Sequence, residues 1–136
     1  MAASILFLCV ANSARSQLAE ALARHLAPPG VAIYSAGSEP GIINPLAVRV
    51  LAEVGVDASG QFSKGLDAIP LGEIDLVVTL CAEEVCPLFP SPVRKLHWPL
   101  QDPAKATGTD EERLAAFRAV RDELSARLVT LLRADG

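Results

Sequence analysis

Two continuous apolar runs constrain the fold of this chain more than any other feature. Ile5–Val10 and Leu76–Leu80 do not show the alternation of apolar and polar residues that a half-exposed strand would have. Such runs are typical of strands that are buried on both faces of a parallel sheet. Cys9 lies at the end of the first run, and the second leads directly into Cys81. Because ligands bind at the carboxyl ends of strands in open α/β sheets, both cysteines mark a candidate site.

The rest of the chain alternates between helix and strand patterns. Leucines at 18, 22 and 26 predict a first helix, Val31–Tyr34 a short strand, and Asn44-Pro45 the start of a second helix. Lys95–Trp98 predicts a fourth strand, and the capping box formed by Thr109 with Glu112 predicts a final helix that runs to about residue 132. This order indicates a single α/β domain over residues 1–136, a three-layer sandwich around a mostly parallel sheet.

Composition excludes several classes of protein. The chain is 51% apolar and 21% charged, which is globular rather than disordered composition. Its net charge of −4, without a basic block, argues against binding to nucleic acid or to a membrane surface. No positive region precedes the first apolar run as in an export signal, so we expect a cytoplasmic protein. Its three cysteines are an odd number, so a fully paired disulfide scaffold is excluded and at least one thiol is free.

The segment after the first strand has the features of an oxyanion site. Arg15 follows Cys9 by six positions, at a strand-to-helix junction where backbone N–H groups converge and the helix dipole is positive. A thiol held there would be a thiolate near neutral pH, with Ser16 placed to donate a hydrogen bond to it and Asn12 bracing a loop that has no glycine. The alternative is a buried Cys9 and an Arg15 that only pairs with an acid. The candidate oxyanion-binding residues are Ala11, Asn12, Ser13, Ala14, Arg15 and Ser16.

A carboxylic acid is the expected partner of such a thiolate. When a thiolate displaces an oxygen from an oxyanion, the leaving oxygen needs a proton. Asp102 follows a strand in a loop and precedes Pro103, which restricts its backbone. Asp102 is therefore the candidate general acid, and a plain turn residue is the alternative.

Several of these motifs together resemble the arsenate reductases built on the low-molecular-weight protein tyrosine phosphatase fold. The resemblance covers essentially the whole chain, and Gln17 stands where the phosphatases tend to have proline. It implies a four-stranded parallel sheet flanked by helices, with the anion loop after the first strand and the general acid in the pair Asp102-Pro103. The segments that carry it are 9–20, 35–37, Asn44-Pro45, 77–81, His97-Trp98 and 102–104.

The resemblance also implies a reaction. Cys9 would attack bound arsenate while Asp102 protonates the departing hydroxide, and Cys81 would then attack the Cys9 sulfur and expel arsenite. Cys86 would next attack Cys81, leaving a Cys81–Cys86 disulfide for thioredoxin to reduce. Phosphate or sulfate would bind as analogues, no cofactor is needed, and a monomer is expected.

Two departures from the family pattern affect this expectation. Four residues separate Cys81 from Cys86, where family members commonly have six, so a helical segment would have to unwind before these thiols could join. The alternative is that Cys86 only packs. Some family members also bind potassium with ligands that match Asn12, Glu20 and Ser35, completed by an aspartate where this chain has Lys64. We therefore predict no bound metal and a Lys64 ammonium near Glu20, the alternative being an exposed lysine without a partner.

Two other functions remain open at this point. A low-molecular-weight phosphatase would use Cys9 through a cysteinyl-phosphate intermediate, and the two later cysteines would be incidental or protective. A non-catalytic redox sensor or anion-binding protein would instead use its disulfide state to alter contact with a partner.

Overall fold

A four-stranded sheet and three α-helices follow the predicted order along the chain in the computed structural model, which describes residues 3–82, 88–90 and 92–135. Three short 3₁₀ helices lie at Leu66–Ala68, Leu71–Glu73 and Pro103–Lys105. The strands and α-helices are β1 (Ser4–Cys9), α1 (Arg15–Leu26), β2 (Ala32–Gly37), α2 (Pro45–Ala52), β3 (Leu76–Thr79), β4 (Arg94–His97) and α3 (Asp110–Asp135).

All strand pairs are parallel, and the order across the sheet is β2-β1-β3-β4, which confirms the predicted fold class. The central strand β1 is buried on both faces, as its uninterrupted apolar sequence predicted. Its residues Ile5, Phe7 and Cys9 pack in one core cluster with the buried residues of α1, α2 and α3. Leu6 and Leu8 face the other side, where residues around the 3₁₀ helices at 66–68 and 71–73 form the covering layer together with Phe89.

The ends of the elements agree with local sequence signals. The Asn44 side chain accepts a hydrogen bond from Leu46 N at 2.9 Å and caps α2. Thr109 Oγ1 accepts from Glu112 N, and Glu112 Oε1 accepts from Thr109 N, both at 3.1 Å, which confirms the capping box before α3. Strand β2 extends to Gly37, beyond the predicted end at Tyr34, because it pairs with β1 up to Cys9. Within the described residues, no helix combines the length and apolar character needed to cross a membrane.

The parallel register places the chemical groups at one edge of the sheet. Leu8 on β1 pairs with Thr79 on β3. Continuing this register, Cys9 is level with Leu80, and Cys81 is the next residue. His97 ends β4 beside Thr79, and the chain then passes through Leu100 to Asp102. The carboxyl ends of three adjacent strands therefore deliver two cysteines and the candidate acid to the same side of the molecule.

Candidate active site

Donors from outside hold the carbonyl groups of the anion loop, which we define as residues 9–16. The Asn12 oxygen accepts from Gln17 Nε2 at 3.0 Å and the Ala14 oxygen from Leu18 N at 2.8 Å. Three further carbonyls accept backbone N–H groups of the segment after β2, in the pairs Glu39 to Val10 (2.9 Å), Gly41 to Ala11 (3.2 Å) and Asn44 to Ser13 (2.8 Å). Across a trans peptide the carbonyl and the following N–H point in opposite directions. The N–H groups of residues 11–15 are therefore directed to the inside of the loop, as in an anion-binding nest.

The Cys9 side chain lies at the base of this loop and is 2% exposed. Its Sγ atom is 2.8 Å from Ser16 Oγ, which in turn accepts a hydrogen bond from Asn12 Nδ2 at 2.7 Å. Asn12 has a left-handed backbone conformation, with φ at +49°. Asparagine is one of the few residues other than glycine that visit this region routinely. The structure therefore brings the predicted nucleophile, its predicted hydrogen-bond donor and the predicted brace into one buried cluster.

Arg15 is fixed by the strand ends on the other side of the loop. Its Nη1 atom donates to Leu100 O at 3.0 Å and to Leu80 O at 3.4 Å. Its Nη2 atom lies 3.8 Å from Asp102 Oδ2. These contacts orient a buried guanidinium at the helix start, where it can meet an anion held by the loop.

Asp102 occupies the entrance to a short 3₁₀ helix. Its Oδ1 atom accepts a hydrogen bond from Ala104 N at 3.0 Å, which is the cap expected of an Asp-Pro pair. The Asp102 side chain is 21% exposed and lines an open cavity of about 780 Å³ together with Leu100 and Ala82. A carboxyl group with one oxygen in a cap and the other near Arg15 can hold or release a proton at the mouth of the loop.

Behind the loop, the buried Glu20 carboxylate is the centre of a charge cluster. Its Oε1 atom accepts from Ser35 Oγ and from Lys64 Nζ, the latter at 3.2 Å. Its Oε2 atom is 3.0 Å from Arg24 Nη2. Lys64 Nζ also donates to Ser35 Oγ at 3.3 Å, and Asn12 Nδ2 donates to the same oxygen at 3.0 Å. The Lys64 ammonium is thus located beside Glu20 and is linked through Ser35 to the brace of the anion loop.

Of the two later cysteines, the structure describes Cys81 but not Cys86. Cys81 is buried and disulfide-bonded, whereas Cys9 is a free thiol. Cys86 lies outside the described residues, so its expected role stays a prediction. A free Cys9 together with a disulfide-bonded Cys81 is the state that the expected relay has before its last reduction.

Three residues of the site were missed by the sequence interpretation. Gln17 is fully buried and forms hydrogen bonds with Asn12, Phe62 and Gln61. From the sequence, it served only to distinguish the reductases from the phosphatases of the family. Gly37 meets the backbone of residues 10 and 12 so closely that a side chain has no room. Ser63 Oγ donates to Ala11 O at 2.9 Å and so adds another external donor to the loop. Apart from the bonds between Gln17 and Asn12, which are five residues apart, these contacts join residues that are 25 to 52 positions apart and so leave no local pattern.

Comparison with known proteins agrees with this geometry. The family model described as low molecular weight phosphotyrosine protein phosphatase matches residues 4–135. An arsenate reductase of Halalkalibacterium halodurans is 48% identical over 128 residues, which cover 93% of this chain and 92% of that protein. The crystal structure of arsenate reductase from Archaeoglobus fulgidus is 33% identical, with a TM-score of 0.80 and coverage of 94% of this chain and 98% of the other. A thioredoxin-dependent arsenate reductase from Corynebacterium glutamicum is 32% identical, with a TM-score of 0.74 and coverage of 96% of this chain and 60% of the other.

Proposed function

Because the chain belongs to the low molecular weight phosphotyrosine protein phosphatase family, we propose that it uses the oxyanion site of that family to reduce arsenate to arsenite. The relatives named above are arsenate reductases, and one of them matches nearly the full length of this chain at 48% identity. The physiological role would be arsenic detoxification. A reducing compartment is needed to keep the nucleophilic thiol free, which favours the cytoplasm.

One observation supports reduction over hydrolysis. Cys81 lies one residue beyond Cys9 in the parallel register of adjacent strands, and it is the cysteine found in a disulfide while Cys9 is a free thiol. A phosphatase needs only the nucleophile, since water regenerates it. A reductase must obtain two electrons in each turnover, and a second and third thiol can supply them.

The first step is a substitution at arsenic. The loop N–H groups of residues 11–15 and the Arg15 guanidinium would bind arsenate above Cys9. The Cys9 thiolate, accepting a hydrogen bond from Ser16, would form a sulfur–arsenic bond while one arsenic–oxygen bond breaks. Asp102 would give its proton to the departing oxygen, which leaves as water.

The second step moves two electrons to arsenic. The Cys81 thiolate would attack the Cys9 sulfur, and the pair of electrons in the sulfur–arsenic bond would remain on arsenic, which becomes arsenite. The resulting Cys9–Cys81 disulfide would be exchanged by Cys86, which frees Cys9 and leaves a Cys81–Cys86 disulfide. A thioredoxin dithiol would reduce that disulfide and become oxidised itself. Thioredoxin is the reductant we propose because a similar protein from Corynebacterium glutamicum depends on it.

The test is arsenate-dependent oxidation of NADPH with thioredoxin and thioredoxin reductase, combined with direct measurement of arsenite. We expect turnover by the unmodified chain and none by Cys9→Ser or Cys81→Ser. Cys86→Ser should give a single turnover and stop with Cys9 and Cys81 joined, which mass spectrometry of the unreduced protein detects.

Each outcome separates the proposal from its rivals. Failure to form arsenite would contradict arsenate reduction, and NADPH oxidation that does not depend on arsenate would favour the redox sensor. Continued full turnover by Cys86→Ser would contradict the three-cysteine relay while leaving the reaction intact. Hydrolysis of an aryl phosphate does not discriminate, since the same loop binds phosphate and arsenate.

A further inference from the structure

Gln17 carries an unusual number of hydrogen bonds for a helix residue outside the catalytic set. It lies in the first turn of α1 and is fully buried. Its Nε2 atom is within 3.0 Å of Asn12 O, Asn12 Oδ1 and Phe62 O. Its Oε1 atom accepts from Gln61 Nε2 at 2.7 Å. A buried amide with partners on both its nitrogen and its oxygen is a specific polar connection, since an unsatisfied one would be costly.

Backbone groups fix the direction of each amide in this connection. The oxygens of Phe62 and Asn12 can only accept, so Gln17 must present its nitrogen to them. The backbone N–H of Lys64 can only donate, and it lies 2.8 Å from Asn12 Oδ1. Asn12 must therefore direct its oxygen toward Gln17 and Lys64 and its nitrogen toward Ser16 and Ser35.

This orientation determines where the Ser16 proton goes. Ser16 Oγ accepts from Asn12 Nδ2 at 2.7 Å, and its other close polar neighbour in this cluster is Cys9 Sγ at 2.8 Å. With one lone pair engaged by Asn12, the hydroxyl hydrogen is available for the sulfur. A hydrogen bond to the charged form of a group favours that form, so the bond from Ser16 favours the Cys9 thiolate.

We propose that Gln17 is a positioning residue for the nucleophile: by sharing the two hydrogens of its amide nitrogen among both oxygens of Asn12 and the Phe62 carbonyl, it holds the Asn12 amide so that Ser16 donates to Cys9. Gln17 also keeps the 62–64 backbone in place, and that backbone carries the second donor to Asn12. The inference rests on the proposed function only in treating Cys9 as the nucleophile. Its effect is on the thiolate itself and needs no arsenate.

The direct test measures the thiolate in the absence of substrate. The protein is treated with iodoacetamide over a range of pH, and alkylation of the Cys9 peptide is followed by mass spectrometry, in a Cys81→Ser, Cys86→Ser background. In Gln17→Met, which keeps an unbranched side chain but cannot donate, we expect the midpoint of the alkylation profile to move about one unit to higher pH. That shift corresponds to about tenfold less thiolate at a fixed pH below the midpoint.

Gln61→Ala is the matched control. Gln61 bonds Gln17 through its side chain but makes no bond to Asn12, so the donors from Gln17 to Asn12 remain and the alkylation profile should not move. A shift in Gln61→Ala as large as in Gln17→Met would contradict the proposed route through Asn12.

A double variant distinguishes positioning from simple support of the fold. If Gln17 acts through Ser16, then adding Gln17→Met to Ser16→Ala should leave the alkylation midpoint where Ser16→Ala alone puts it. Two independent and additive shifts would contradict the proposal, as would an unchanged midpoint in Gln17→Met. If Gln17→Met does not fold, Gln17→Glu keeps the size and the bond from Gln61. Failure of both variants to fold would show that Gln17 supports the fold instead, and would also overturn the proposal.

Discussion

Substitution of Gly37 by alanine should displace the anion loop, because Gly37 lies on the neighbouring strand β2 and touches the loop backbone. Gly37 ends β2 and pairs with Cys9 in the parallel register. A Cβ atom added there would lie 2.2 Å from Val10 O and 2.8 Å from Asn12 N. Because such contacts need 3.0 Å or more, the Val10 carbonyl would have to move by about 0.8 Å. The backbone conformation of Gly37 does not itself demand glycine, so this close approach is the sole reason for it.

The size of the expected loss in stability depends on which atoms must move. Both close contacts are backbone atoms, and Val10 O is also held by Glu39 N at 2.9 Å, so no flexible side chain can absorb the displacement. We expect a loss of about 2–4 kcal/mol in the free energy of unfolding, the upper range for forced overpacking. Displacement of the loop by nearly 1 Å should also lower kcat/KM for arsenate roughly a hundredfold, since the substrate would be misplaced over Cys9.

The measurements are urea unfolding, with and without sulfate as a ligand of the loop, and arsenate turnover with thioredoxin. Gly72→Ala is the matched control, because an added Cβ there has nothing within 4 Å and the backbone is not left-handed. Gly72→Ala should be neutral or stabilise by about 0.4–1 kcal/mol. If Gly37→Ala proved as stable as Gly72→Ala and bound sulfate equally well, the steric reasoning would be refuted.

Two further predictions concern charged groups. Since the Lys64 ammonium lies 3.2 Å from Glu20 Oε1, we expect equal kcat/KM in potassium and sodium chloride; a severalfold rise with potassium alone would show that a metal ion is needed there. Bonds from Arg118 and Arg121 lower the pKa of Glu53 from 4.5 to about 2. Because the folded pKa is the lower one, the pairing stabilises the fold fully above pH 4.5 and is lost as the pH falls toward 2. Glu53→Gln should therefore lower the Tm at neutral pH, with the difference from the unmodified protein shrinking below pH 4.5; a constant difference down to pH 2 would contradict this assignment.

The parts of the fold that follow from the sequence are those set by local rules. A strand buried on both faces is a nearly continuous apolar run, so β1 could be recognised from Ile5–Val10. The caps at Asn44 and at Thr109 with Glu112 depend on residues within three positions of each other. The positions of Cys9 and Cys81 at one sheet edge then follow from parallel topology, without any knowledge of the side-chain contacts.

The contacts that shape the loop do not follow from such rules. Arg15 is oriented by the carbonyls of Leu80 and Leu100, and every residue has a carbonyl, so the sequence carries no trace of this choice. The contacts of Gln17 could not be predicted for the same reason, because one of its partners is the Phe62 backbone, 45 residues away. Gly37 lies beyond the predicted strand end at Tyr34, and its approach to Val10 depends on the register between β1 and β2.

Residues 9–16 contain no glycine, and Asn12 takes the left-handed position that a glycine could have occupied. The loop needs one left-handed residue, and an asparagine there pays a conformational cost of about 1 kcal/mol that a glycine would avoid. In return its amide bonds four groups, the side chains of Ser16, Ser35 and Gln17 and the backbone of Lys64. A glycine would relieve the strain and leave these buried groups without their common partner, at a larger cost. Asn12 therefore both permits the turn and donates to Ser16 Oγ, so in the proposed network the conformation of the loop and the state of Cys9 are linked through this side chain.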